Sequence, residues 1–222
     1  MHPSELRFGS LLVYTKRGAS EVSRRAQVFV TRRLKANAVV VVDRGEPVTA
    51  TTYLARRYCE LVPGTALDGW IDGETLLVPV PGSGLTVPHA LWVPRNLASA
   101  LLASGVGAAV APLLRRERRV AKSAFADPGY RPKPREHYES MSLEATLVGS
   151  VPPKLCLIDD VVAKGSTLLG AAWRLAEACP DVEIRAFAAV RHVGYREEIE
   201  TMIEPVLGSI RLDADEDATR EP

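Results

Sequence analysis

The chain has 222 residues, enough for one core with an appended part and cramped for two full domains. Its 46% hydrophobic and 25% charged residues match the globular average and exclude disordered and fibrous classes. Lys plus Arg is 28 against 27 Asp plus Glu, so no overall basic balance points to nucleic acid or to a membrane surface.

Residues 1–6 hold Pro3 and Glu5 and no apolar run, so no signal peptide is expected. Leu6 to Tyr14 reads as a strand and Lys16-Arg17-Gly18 as a turn. Ser20 is an N-cap, and Val22, Ala26, Phe29, Val30 and Leu34 form one helical face. The opposite face holds Arg24, Arg25, Arg32, Arg33 and Lys35, either a solvated surface or a contact for an anionic partner. Ala38 to Val42 predicts a buried strand, and Thr49 to Leu61 a helix ended by Pro63-Gly64. Residues 1–62 carry 11 Lys/Arg against 5 Asp/Glu, whereas Thr75 to Pro94 carries no charge at all.

From residue 73 the rhythm is α/β. Leu76 to Val80 is a strand, Pro81-Gly82-Ser83-Gly84 a loop and Pro94 to Ser104 a helix closed by Gly105. Ala108 to Leu113 is a strand. The uncharged run Leu97 to Leu114 is thus a helix, a glycine turn and a strand rather than a membrane span, for it holds Gly105, Gly107 and Pro112. Residues 115–145 read as a long loop without secondary structure, and positions 115–135 carry 8 Lys/Arg against 2 Asp/Glu. Lys154 to Ile158 is a strand, Thr167 to Cys179 a helix and Val182 to Val190 a strand. Alternating strands and helices imply βαβ units and a parallel sheet. Cys59, Cys156 and Cys179 are too few and too widely spaced for a disulfide framework or a zinc cluster, which predicts a reducing, cytoplasmic compartment. Residues 213–222 hold five acids and one Arg and read as a disordered acidic tail.

The strongest signal is Leu155 to Thr167, an apolar strand running through Asp159 and Asp160 and a small-residue loop into a helix. At the carboxyl end of a parallel strand such acids face the crevice where α/β proteins bind ligands. Two carboxylates suit the hydroxyls of a ribose. The loop Ala163-Lys164-Gly165-Ser166-Thr167 leads to a helix start, whose free amides favour an anion. Gly165 permits positive φ and close approach of a ligand, Lys164 adds charge, and Ser166 and Thr167 add hydroxyls. The ligand so described is a ribose 5-phosphate.

This segment resembles the 5-phosphoribosyl-1-pyrophosphate (PRPP) motif of type I phosphoribosyltransferases. Asp159 and Asp160 match its acidic pair, Gly165 its glycine and Thr167 its final hydroxyl. Cys156 replaces an aliphatic residue, and Lys164 stands where a small residue is usual.

The resemblance implies a parallel sheet flanked by helices over residues 73–212, with a variable hood built from residues 1–72, from the segment after Val190, or from both. It implies Mg²⁺-dependent transfer of 5-phosphoribosyl from PRPP to a nitrogenous base, with release of pyrophosphate. Asp159 and Asp160 would hold the ribose hydroxyls, residues 163–167 the 5-phosphate, and Pro81, Gly82, Ser83 and Gly84 the pyrophosphate. Residues 115–145 would be a closing loop whose Arg119, Lys122, Arg131, Lys133 and Arg135 stabilise the departing charge. His192 would lie near the base pocket, while Trp70, Trp92 and Trp173 are read as packing. Members of the family often pair, so a homodimer is expected. The alternative is a non-catalytic PRPP- or nucleotide-binding module with a nucleic-acid or protein partner. A looser resemblance, to competence-associated phosphoribosyltransferase-like proteins, names no substrate.

Overall fold

A computed structural model of the chain describes residues 2–42, 45–84, 87, 89–121, 131–144, 153–194 and 198–222. Its centre is a seven-stranded sheet in the order β11-β10-β1-β9-β8-β4-β5. The strands are β1 (Glu5–Thr15), β4 (Thr75–Pro79), β5 (Ala109–Val110), β8 (Lys154–Val162), β9 (Glu183–Gly194), β10 (Ile203–Leu212) and β11 (Ala218–Glu221). The pairs from β1 to β5 are parallel, and β10 and β11 add antiparallel at one edge.

The middle stretches of the parallel strands are mostly apolar because helices cover both faces, while charged residues such as Asp159, Asp160 and Arg191 sit toward the strand ends. One face packs against α1 (Glu21–Val28), its π-helical continuation Phe29–Leu34, α2 (Ala50–Leu61) and α3 (Val93–Ala103). The other packs against α5 (Ser166–Ala178) and the short α4 (Pro134–Glu139). Ser20 caps α1 by accepting from the Ser23 amide (3.0 Å), and Thr49 caps α2. Val93–Ala103, the turn at Gly105 (φ +82°) and β5 account for the uncharged run. No described helix is long and apolar enough to cross a membrane.

Several elements differ from the sequence reading. The valine run forms β2 (Val39–Val41), which pairs only with β3 (Pro47–Thr49) and not with the main sheet. Its expected burial is therefore wrong: Val39 is 55% and Val41 72% exposed. Residues 115–145 are not without structure. They include β6 (Leu114–Arg116), α4 and β7 (Met141–Leu143), with β6 and β7 paired antiparallel. Pro134 begins α4, and the Glu136 carboxylate accepts from the Lys133 amide (3.1 Å), closing its first turn. α4 packs so closely on α5 that a Cβ at Gly170 would lie 2.5 Å from the Pro134 carbonyl.

Segment 213–222, expected to be disordered, is the turn and second strand of a hairpin. The Asp213 carboxylate accepts from the Asp215 and Asp217 amides (2.9 Å each), and β11 pairs with β10. Residues 1–72 contribute one strand to the main sheet, because β1 lies between β9 and β10.

Candidate functional site

β8 remains a strand through both acids to Val162, so Asp159 and Asp160 leave it in opposite directions. Asp159 lines a cavity of about 110 Å³ with Arg131, Val162 and all of residues 163–167. Its Oδ1 accepts from the Asp160 amide (2.8 Å). Burial, and then the neighbouring Asp160 charge, push the Asp159 carboxyl up to about 7, against the opposing pull of Lys35.

Asp160 points to the other side of the sheet. It is buried there, with its two oxygens 2.7 and 2.9 Å from the Lys35 ammonium. Burial alone would depress Lys35, but the Asp160 and Asp159 carboxylates hold it above the ordinary lysine range. The two acids do not converge on one cavity, and the strand geometry is the reason. Sequence reasoning counted Lys35 among the surface charges of its helix. Nothing local in the sequence marks it as the partner of a residue 125 positions away.

The loop after β8 is shaped from outside. Gly165 has φ +96° and stands at the N-cap of α5. A Cβ there would meet Ile210 of β10 at 2.6 Å, so it is a core side chain, not a ligand, that closely approaches this glycine. With no capping side chain, the amides of Ser166, Thr167 and Leu168 have no partner among the described residues. All three residues line the cavity.

Lys164 also lines the cavity, but its ammonium pairs with Asp217, whose other carboxylate oxygen lies 3.5 Å from Ser166 Oγ. Arg220 donates to the Ala163 carbonyl (2.6 Å) and to the His192 carbonyl (2.9 Å). The hairpin of β10 and β11 thus braces the whole loop.

β4 pairs with β8, which puts the start of the 81–84 loop beside the acid-bearing strand. The Pro81 and Gly82 carbonyls accept from Arg116 (3.3 and 2.9 Å), and the Ser83 carbonyl accepts from the Val120 amide (3.0 Å). Neither Gly82 nor Gly84 has positive φ, and a Cβ on either would meet no described atom. Described packing therefore does not demand glycine there.

Arg116 is fully buried and also donates to the Ser140 hydroxyl and to the His137 carbonyl (3.4 Å). Burial pushes it down to about 10, so it stays charged at neutral pH. His137, buried behind the cavity, has Nε2 3.4 Å from Thr167 Oγ1. Burial, helped by Arg116, pushes it down to about 3, which keeps it neutral.

Of the five cations expected on the closing loop, Arg131 reaches the cavity. Lys133 instead donates to the Asp215 carbonyl (2.6 Å), Arg135 pairs with Glu139 (3.0 Å), and Arg119 is exposed. Lys122 lies outside the described residues. His192 sits against Tyr14 with ring centroids 5.1 Å apart. Burial, and then the charges of Lys16, Arg131 and Arg220, push it down to about 4. The three tryptophans pack as expected, their indole N–H groups bonded to the carbonyls of Ala186, Val80 and Pro3.

No protein-family model matches the chain, and no curated protein matches it in sequence. Among the described residues no cluster of three or more His, Cys, Asp or Glu could hold a metal. Among the described residues, Asp159 is the one acid in the cavity lining. A single carboxylate suits Mg²⁺ that arrives on substrate phosphates, since that ion keeps most of its ligands from water and phosphate.

Proposed function

We propose that the cavity binds the ribose 5-phosphate part of PRPP and that the protein transfers 5-phosphoribosyl to a nitrogenous base. The observation that carries this reading is the joint placement, in one cavity, of the Asp159 carboxyl and the unpartnered amides at the start of α5. The amides and the Ser166 and Thr167 hydroxyls hold the 5-phosphate. Asp159 accepts from ribose hydroxyls. The amides of residues 82–84 and the Arg131 guanidinium face the pyrophosphate.

In the reaction the C1–oxygen bond breaks and its electron pair leaves with pyrophosphate. The base nitrogen's lone pair forms the new bond to C1, and the nitrogen's proton passes to the departing pyrophosphate. Arg131 and the loop amides offset the charge that grows on the leaving group, while the buried Arg116 fixes where those amides point. Asp159, with pyrophosphate and hydroxyl oxygens, would hold Mg²⁺, which would neutralise part of the same charge. Asp160 is a positioning residue here. Its pair with Lys35 anchors the strand end from the opposite face. The strand, loop and helix of residues 154–178 support the resemblance to type I phosphoribosyltransferases, and the hood is formed in this reading by residues near Tyr14, Lys35 and His192.

The Lys164–Asp217 pair favours a second reading, in which the same cavity senses PRPP without turning it over. One experiment separates them: titrate PRPP with Mg²⁺ by calorimetry, then assay pyrophosphate in the presence of a panel of bases. Release with one base supports the enzyme, and binding without release supports the sensor. If wild type and Asp159→Asn bind PRPP equally, both readings fail.

A further inference from the structure

Four exposed arginines cluster along α1 and its π-helical continuation. Several arginines elsewhere find carboxylates: Arg56 with Glu46, Arg135 with Glu139, the half-buried Arg174 with Glu177, Arg211 with Glu5. Arg24, Arg25, Arg32 and Arg33 are exposed, and none has an acidic partner among the described residues. Arg33 donates only to the Val39 carbonyl (3.4 Å).

The π segment puts these charges in line. Four residues of α-helix overshoot a turn by about 40°. The wider turn, marked by the Lys35 amide bonding to Val30 O (3.1 Å) and the Ala38 amide to Arg33 O (2.8 Å), takes up that overshoot. Arg24, Val28 and Arg32 then follow one ridge about 12 Å long. Arg25, Phe29 and Arg33 follow the next. Phe29 is half-buried and meets the half-buried Tyr53 of α2 edge to face, with centroids 5.9 Å apart. Beside them opens a cavity of about 320 Å³, with Leu12, Val22, Leu54 and Met202 in its lining and Arg25, Tyr53 and Glu200 also on it.

We propose that this face binds single-stranded nucleic acid. The arginine ridges follow the phosphates, and an unstacked base lies against Tyr53 at the apolar cavity. A cationic track interleaved with aromatic rings is what a strand with free base faces requires, whereas a duplex keeps its bases stacked inside. A lipid surface fits less well. The apolar face that such a helix must sink into the membrane, Ala26, Val30 and Leu34, is already buried in the core. The inference uses no residue of the PRPP cavity and stands or falls apart from it.

The test is fluorescence anisotropy of the full chain with a labelled 20-nucleotide single-stranded RNA and its DNA counterpart, over a range of KCl. The matching duplex and phosphatidylglycerol vesicles serve as competitors. Four phosphate contacts predict a slope of log K against log salt of about −3 for single strands. Arg24, Arg25, Arg32 and Arg33 changed together to Gln should abolish both the slope and the binding at 50 mM salt, while the four changes to Lys keep the slope. Tyr53→Ala should weaken binding on the order of ten-fold with the slope unchanged, and Tyr53→Phe should restore it. Thermal melts that match wild type establish that the variants fold. Absence of binding to single strands at low salt overturns the proposal. So does binding that survives the Gln variant, a preference for duplex, or competition by vesicles but not by duplex or free strand.

Discussion

Asp159→Asn is expected to stabilise the fold while removing function. The Asp159 carboxyl is held up at about 7, with burial the first cause, against about 3.8 for a free aspartate. Such a group binds its proton more tightly in the native state than in the unfolded one. Stability therefore falls as pH rises from about 4 to about 7, and the loss is complete above that window. A shift of that size corresponds to at most about 4 kcal/mol at pH 8. Because the side chain keeps some contact with water, we expect on the order of 2 kcal/mol. Asparagine has nearly the same shape, carries no charge, and keeps an oxygen for the Asp160 amide. For a chain of this length the gain should raise Tm by about 4–8 °C at pH 8 and by almost nothing at pH 4. Paired thermal melts at the two pH values check this, and PRPP calorimetry on the same sample should show binding reduced at least ~10-fold. A variant that is destabilised at pH 8, or that melts with the same difference at both pH values, would refute the account of a site carboxylate kept at a cost to the fold.

Three further outcomes follow from the geometry. Gly165→Ala forces a non-glycine residue to φ +96° and drives a Cβ into Ile210, so urea unfolding should show a loss of about 2–4 kcal/mol. Adding Ile210→Ala should recover at least ~1 kcal/mol relative to additivity, and strict additivity would dismiss the contact as the cause. Lys35→Met leaves Asp160 without its partner, and because Lys35 is 53% exposed the expected cost is about 1–2 kcal/mol rather than that of a fully buried pair. The native lysine titrates above its ordinary value, so the pair's contribution is fully present below about 10.4 and fades as pH rises through the native value. A difference between the two proteins that persists undiminished far above that pH would count against it. Arg116→Met removes a donor from the Pro81 and Gly82 carbonyls and from the Ser140 hydroxyl, and leaves the His137 carbonyl only its bond from Ser140, at a cost on the order of 3 kcal/mol. Hydrogen exchange at the Val120 amide, which bonds to the Ser83 carbonyl, should rise in this variant even at temperatures where the fold persists, and unchanged exchange would mean that Arg116 does not hold the loop.

The elements that show in the sequence are those with a local cause. Ser20 and Thr49 announce helices because a short hydroxyl side chain can reach an amide three residues on, whatever the rest of the chain does. The strand-loop-helix of residues 154–178 shows because its apolar run, its glycine and its helix start are contiguous. The failures also share a cause. Val39 and Val41 look like core, yet the apolar run alone cannot say which strand it will pair with, and β2 finds only β3. The acidic tail looks unfoldable by composition, but Asp213 caps its own turn and β10 offers an open edge.

What the sequence determined by itself was chemistry bound to neighbouring positions: a carboxylate at a strand tip, amides freed at a helix start, and glycine where φ turns positive. What only the tertiary structure decided was direction and company. The alternation of a strand sends Asp159 into the cavity and Asp160 to Lys35. The edge hairpin brings Asp217 to Lys164 and Ile210 to Gly165. Such contacts join residues far apart along the chain, and they are set by which strands lie side by side, a choice that the whole core makes and no single segment encodes.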